Sequence, residues 1–327
     1  MLGTLALLIA LSPQASPSAS PSVRAAAVAQ GTPAAQQPPA TSTVTVGSAV
    51  PAAGDGASVA ALVETNRHVT FTVGGAKLRD FTQQMADRRS YDALVVSRSA
   101  GSTVIRVQYG VCTSKLEDSA VGENEQPIKL SEHRYVVQRS GTPPTVSVRE
   151  LSRRAATPAR LTVRDSDPSE EESDVSEDVA TQVEQDVKEL LDGGRWSATL
   201  GGKPLTIGQP VALSAEATHA LFGEVLPGLS TSKLELTPRA PAADPDRVVF
   251  GVVASATMKD GEELPMSSTL DLTGTLELGR ADGRLLALEL TGPLQFGGSA
   301  DRERTKIEVV GTGTVTWTYR AQPLAKK

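Results

Sequence analysis

Four sets of side chains in this 327-residue sequence are of types that do chemistry: a serine–lysine pair, three histidines, a run of carboxylates and a single cysteine. Ser230-Thr231-Ser232-Lys233 fits S-x-x-K, in which a lysine beside a serine hydroxyl helps to make it a nucleophile. That chemistry needs the serine at a helix start and a K-T-G strand edge, whereas Leu234-Glu235-Leu236-Thr237 alternates as a strand. The other common serine frame, G-x-S-x-G, does not occur. His68, His133 and His219 are far apart, and none belongs to H-E-x-x-H, which sets two imidazoles on one helical face for zinc. Asp165, Asp167, Glu170, Glu171, Glu172, Asp174, Glu177 and Asp178 gather the oxygen ligands that calcium prefers, but without the glycine and spacing of a calcium loop. They read as a solvated acidic first turn, stabilised by the positive end of a helix dipole. Cys112, among Val107, Tyr109 and Val111, provides neither a disulfide framework nor a Cys-Cys metal pair, and an inert, partly buried thiol is expected. Phosphate-cradling G-x-x-x-x-G-K-[ST] and G-x-G-x-x-G before a helix are absent, and Gly201-Gly202-Lys203-Pro204 reads as a turn. The expectation is a non-enzyme with no cofactor and no metal.

Composition narrows the partners. There are 32 basic and 38 acidic side chains, net charge -6, and only 3% aromatic residues. A phosphate-backbone binder concentrates Lys and Arg in a stripe with aromatic stacking partners, so nucleic acid is not expected. Leu2 to Leu11 is an apolar run too short for a bilayer span of about 20 residues but suited to the apolar segment of a signal peptide. Small-x-small cleavage sites lie near Ala15, Ala19 and Ala27-Val28-Ala29. With no cysteine near the N-terminus to carry a lipid, an exported, unlipidated chain is expected, periplasmic or secreted, with no transmembrane segment once mature.

The elements that would position any site begin after this leader. The expected organisation is a signal-like segment over 1–29, a disordered Pro/Ala/Ser/Thr-rich tether over 30–62, a first β-rich half over 63–166, a helix over 167–193 and a second β-rich half over 194–322. Strand alternation is clearest in Thr269 to Leu278, with Leu270, Leu272, Leu276 and Leu278 on one face and Asp271, Thr273, Thr275 and Glu277 on the other. The turn Gly279-Arg280-Ala281-Asp282-Gly283 follows, then Leu286, Leu288 and Leu290 alternate again, predicting a hairpin. Lys306 to Arg320 puts Ile307, Val309, Val315, Trp317 and Tyr319 on one side and Thr312, Thr314, Thr316 and Thr318 on the other, a core face backed by a threonine ladder. Weaker strands are expected at Val69–Val73, Ala93–Arg98, Thr103–Thr113, Glu132–Arg139, Thr145–Leu151, Ala159–Arg164, Arg195–Leu200, Ser232–Thr237 and Arg247–Met258.

One strong helix is expected between the halves. It is capped by Asp167-Pro168, striped by Val175, Val179, Val183, Val187, Leu190 and Leu191, and ended by Gly193-Gly194. Shorter helices are expected at Ala215–Leu226 and Leu78–Arg88. Tyr109-Gly110-Val111 and Phe250-Gly251-Val252, each followed by a proline (Pro127, Pro265) entering a strand, raise a duplication of the two halves as an option.

The predicted fold is α+β and mostly antiparallel β, a curved meander or open half-barrel with one central helix at about 167–192. By pattern, Leu62 to Arg320 is similar to uncharacterised exported bacterial β-rich proteins. The strand-turn-strand of Asp271 to Leu290 also resembles the half-barrels of periplasmic lipoprotein carriers and related lipid-binding envelope proteins. The resemblance implies a helix across a concave sheet face, leaving an apolar groove for an acyl chain. It transfers no ligand-contacting residue. On the alternation alone, Leu270, Leu272, Leu276, Leu278, Leu286, Leu288, Leu290, Val315 and Trp317 are the candidate lining of a cavity that the Val175–Leu191 helix covers in part. A lipid or an envelope protein is the expected partner. Two further readings stand beside this one: a structural or interaction protein of the envelope in which the same leucines are only core, and an enzyme whose site is assembled from residues remote in sequence.

Overall fold

A computed structural model describes residues 42–153, 170–222, 229–240, 244–260, 265–302 and 305–324. The signal-like segment, its cleavage sites, the arm up to residue 41, the strand at Ala159–Arg164 and the cap at Asp167-Pro168 lie outside the described residues.

The first half contains β1 (Thr43–Val44), β2 (Gly56–Val73), β3 (Ala76–Ser99), β4 (Ser102–Tyr109), β5 (Thr113–Asp118), β6 (Gly122–Pro127), β7 (Arg134–Ser140), β8 (Thr145–Arg153) and β9 (Glu170–Asp174). Then come α1 (Glu177–Asp192), α2 (Arg195–Leu200), β10 (Leu205–Thr206), β11 (Val211–Ala212) and α3 (Ala215–Phe222). The long strands β12 (Leu229–Pro238), β13 (Arg247–Asp260), β14 (Met266–Gly279), β15 (Leu285–Arg302) and β16 (Thr305–Pro323) follow. Fourteen strands form one antiparallel sheet in the order β11-β12-β13-β14-β15-β16-β2-β3-β4-β7-β8-β9, with β5 and β6 branching from β3. The sheet is open: β11 and β9 are its outer strands, and the chain crosses between them through α1, α2 and β10. Its middle seam joins the last strand to the first long one, from Ile307 opposite Val73 to Pro323 opposite Ala57.

Alternation accounts for most of these strands, and chain context accounts for the departures. Leu78–Arg88, expected as a helix, lies inside β3. Gly74 (φ 58°) and Gly75 (φ 83°) form a two-residue turn between positive-φ residues, which sets Val73 against Ala76 and zips the next segment onto β2. Gln83–Arg88 is then bracketed by β5 on its other side, so ladder hydrogen bonds override a helix-favouring composition. Arg195–Leu200, expected as a strand, is the short helix α2, whose Trp196 and Leu200 both point into the core from one helical face.

The central helix starts later than expected. Residues 170–174 are strand β9, laid against β8 with Asp174 opposite Arg149 and Glu170 opposite Arg153, and the helix begins after Ser176. Glu172, expected in a first helical turn, instead lies 3.7 Å from Arg149 across this ladder. The tether also ends sooner, because β1 and the start of β2 fall within 42–62. Tyr109 closes β4 while Phe250-Gly251-Val252 sits inside β13, so the two duplication markers occupy different places in their strands.

Among the described residues the core is in three clusters. One gathers the leucines of β14 and β15 with Phe250, Leu234 and Leu236. A second joins Val59, Tyr91, Ile105, Val107, Tyr109 and Val137 to the stripe of α1. A third, at the far ends of β2, β3 and β16, holds Val69, Phe71, Phe81 and Val309.

A diagonal of glycines crosses the leucine half of the sheet. A Cβ on Gly274 would lie 1.8 Å from the Glu289 carbonyl oxygen, one on Gly292 1.7 Å from that of Asp271, and one on Gly313 2.2 Å from that of Asn66. Only a missing side chain permits these backbone approaches. Gly292→Val is therefore expected to lower stability by about 1–3 kcal/mol or more through overpacking, read as the midpoint of urea unfolding. Thr291→Val, at the exposed neighbour, should stay within about 0.5 kcal/mol of the parent.

Candidate functional site

The nine residues expected to line a groove divide in the structure. Leu270, Leu272, Leu276, Leu278, Leu288 and Leu290 are buried in the first cluster, with Val315 and Trp317 half-buried against them. The helix that covers them is not α1. Trp196 and Leu200 of α2, Leu205 of β10, and Val44 and Val46 near β1 pack in the same cluster. Leu286 departs from the set because the β14–β15 register slips there: Glu277 faces Ala287 but Leu278 faces Leu285, leaving Leu286 as the bulged residue. It lines instead a small cleft between the two halves, shared with Val59, Tyr91, Asp186, Leu190 and Tyr319. The volume of that cleft is about 30 Å³.

Helix α1 seats its valines against β4, β7 and β8, with Val183, Val187, Leu190 and Leu191 buried. Asp186 lies in that apolar stripe, three residues after Val183 and four before Leu190, and its side chain is only 13% exposed. Polar groups of the sheet, with Gln182 of the same helix, answer it. The Tyr109 hydroxyl donates to Asp186 Oδ2 at 2.7 Å, Gln182 Nε2 donates to Oδ1 at 3.3 Å, and Arg89 Nη1 stands 3.5 Å from Oδ1. The Tyr91 hydroxyl donates to the Asp186 backbone carbonyl at 2.7 Å. Tyr91, Tyr109 and Tyr135 form a tilted and edge-on ladder of rings beneath the helix, with centroids 5.4 and 5.8 Å apart.

Both ends of α1 are tied down as well. Arg98 of β3 donates to the carbonyls of Leu190 and Leu191, supplying the positive charge that the last helical turn lacks. At the other end Lys129 bonds Asp178 at 2.7 Å and holds its carboxyl down at about 2, a solvent-exposed pairing of small energetic weight.

Burial pushes the Asp186 carboxyl above its ordinary range, opposed by Arg89 and by the bonds from Tyr109 and Gln182. Burial and the adjacent carboxylate push the Tyr109 phenol far up, so it remains a donor. Burial also raises the Cys112 thiol, whose Sγ faces the Ser90 carbonyl at 3.6 Å. The cluster therefore positions a helix. Its phenol and thiol are held in their protonated, non-nucleophilic forms at neutral pH. Sequence reasoning passed over Asp186, Tyr109 and Arg89, although a carboxylate inside an otherwise apolar stripe is a visible signal for a buried partner. His68 of β2 pairs with Asp80 of β3, and His133, just before β7, pairs with Glu150 of β8, each at 2.6 Å and in separate parts of the sheet. Ser230 and Lys233 lie within β12, where no helix start is formed. No grouping of three metal-ligating side chains occurs among the described residues.

No known family model matches the chain, and no curated protein matches it. Among solved structures, the chain is similar to the outer membrane protein OprG from Pseudomonas aeruginosa at 8% identity and a TM-score of 0.15, covering 83% of this chain and 97% of that one. It is similar to the type IV competence pilus secretin PilQ of V. cholerae at 8% identity and a TM-score of 0.15, covering 83% and 61%. Among the described residues no helix is long and apolar enough to cross a membrane.

Because folded Asp186 keeps its proton to higher pH than the unfolded chain does, its contribution is largest below the ordinary carboxyl range. That contribution is lost as pH rises through the raised value. Asp186→Asn should flatten this part of the stability–pH profile and be at least as stable as the parent at pH 7. Tyr109→Phe, which leaves the carboxylate without its phenol, should cost about 1–3 kcal/mol. Urea unfolding across a pH series checks both, and an Asn variant that keeps the parent's slope would refute the assignment.

Proposed function

We propose that the chain is a non-catalytic, exported β-sheet protein that serves as an interaction module of the cell envelope, with its inner sheet face filled by its own residues. The observation that carries this reading is the occupancy of both halves of that face. Trp196, Leu200, Leu205, Val44 and Val46 pack on the leucines, and Val183, Val187, Leu190 and Leu191 pack on the tyrosine half. The cleft left between them, about 30 Å³, compares with roughly 300–1,000 Å³ for a site that holds a small molecule. Leu270, Leu272, Leu276, Leu278, Leu288 and Leu290 then act as core, each buried leucine contributing about 1.5–3 kcal/mol. Export is supported by the apolar run Leu2–Leu11 and the Pro- and Ser-rich arm behind it. The non-catalytic part is supported by the role of Asp186, Tyr109 and Arg89 in holding α1.

The test is chemical. Chain purified from cells and extracted with organic solvent should release no stoichiometric lipid, and its native mass should be that of polypeptide alone, as one copy or a whole number of copies. Titration with a long-chain fatty acid should leave tryptophan emission unchanged. An acyl ligand recovered near one per chain would overturn the filled-core reading and restore the carrier.

A further inference from the structure

Arg67 is a cation on the inner face of the sheet, placed where that face passes from one apolar cluster to the next. Val59, earlier on the same side of β2, packs in the α1 cluster, and Val69 and Phe71 just beyond Arg67 belong to the far cluster. Among the described residues no helix side chain enters that far cluster. The ladder partners of Arg67 are Gln83 on β3 and Gly313 on β16, and its side chain is half-buried.

The polar groups beside Arg67 are committed to one another. Arg67 Nε–H donates to Gln83 Oε1 at 2.8 Å, and Gln83 Nε2 donates to Asp118 Oδ2 at 2.6 Å. Asp118 Oδ1 accepts from Ala120 N–H at 2.8 Å and stands 3.7 Å from Arg79 Nη2. Arg67 therefore reaches this carboxylate through Gln83, with no direct ion pair. Among the described residues no acceptor meets its Nη1 and Nη2 groups. Burial pushes the guanidinium below its ordinary value, against the pull of Asp118. Its carbon lies 5.8 Å from the centroid of the Phe296 ring. Gly311 makes room for that ring, since a Cβ there would lie 2.2 Å from Phe296 Cζ.

We propose that Arg67 and the apolar surface around Phe296 form a binding site for a small carboxylate with a compact apolar body. The open end of the guanidinium presents two N–H donors that match the two oxygens of a carboxylate. Phe296, Val69 and Val315 supply apolar surface for the rest of such a ligand. A phosphate dianion would need further donors, and those of Gln83 and Ala120 are already spent on Asp118. The site lies off the faces that α1 and α2 fill, so it goes beyond the interaction role proposed above, and its failure would leave that reading intact.

Titration calorimetry of the full-length chain with sodium benzoate at constant ionic strength tests this. The parent should bind about one benzoate per chain saturably, and inorganic phosphate more weakly. Arg67→Gln should lower the affinity for benzoate at least about tenfold. Arg67→Lys, a point charge without the fork, should lower it less. Arg88→Gln, exposed on the other face of β3, should bind as the parent does. Circular dichroism checks that each variant is folded, and Arg67→Lys carries the comparison if Arg67→Gln is not. The proposal is overturned if the parent shows no saturable benzoate binding, if phosphate binds as tightly, or if a folded Arg67 variant binds like the parent.

Discussion

Pairing of β16 with β2 along their shared length is the constraint from which the architecture follows. Backbone N–H and C=O groups in long strands need partners on both sides, and strands of the length of β2, β3, β15 and β16 expose many of them. Setting the last strand beside the first long one gives β16 and β2 their second partners and merges the two meanders into one sheet. Among the described residues the outer strands of this sheet are β11, β9 and β6. Each is blunted in its own way: β11 has two residues, β9 is a row of carboxylates, and β6 reads Gly-Glu-Asn-Glu-Gln-Pro, charged and ended by proline. These devices disfavour further strand addition.

A second consequence concerns the helices. A sheet open at β11 and β9 must be spanned by the chain that links them, and the span fills the inner face on its way. Gly193 and Gly194 divide it into α1 and α2, and a Cβ on Gly194 would lie 2.3 Å from the Gly283 carbonyl group. The elbow is pressed onto the β14–β15 turn, so α1 falls on the tyrosine half and α2 on the leucine half. One continuous helix across the leucines, which the valine stripe invites, is incompatible with that contact.

The legible and illegible parts of the sequence separate along the same line. Period-two alternation in Thr269–Leu278 and Lys306–Arg320 identified strands and the face turned to the core, because that signal is local. Three features depended on non-local partners. Leu78–Arg88 became strand because a Gly-Gly turn and β5 supplied ladders on both sides. Arg195–Leu200 became helix because its Trp and Leu had to meet the same core. Leu286 left the leucine face through a bulge that alternation cannot reveal. The identity of the leucines' cover was equally hidden, since Val44 and Val46 lie in a segment whose composition matches the Pro- and Thr-rich arm before it.

Asp186 shows what a polar residue adds to such an interior. An amphipathic helix resting on a valine and tyrosine surface by apolar contacts alone has many near-equal seatings, because burial is non-directional and scales with area. A carboxylate in the middle of the stripe removes that freedom, since it is tolerated only where Tyr109 and Arg89 of the sheet converge on its oxygens. The energetic gain from the bonds is small against the cost of burying the charge, which is why the carboxyl is driven toward its protonated form. What the group contributes is position: the helix sits at the depth where Tyr91 also reaches the Asp186 carbonyl and Arg98 the last turn.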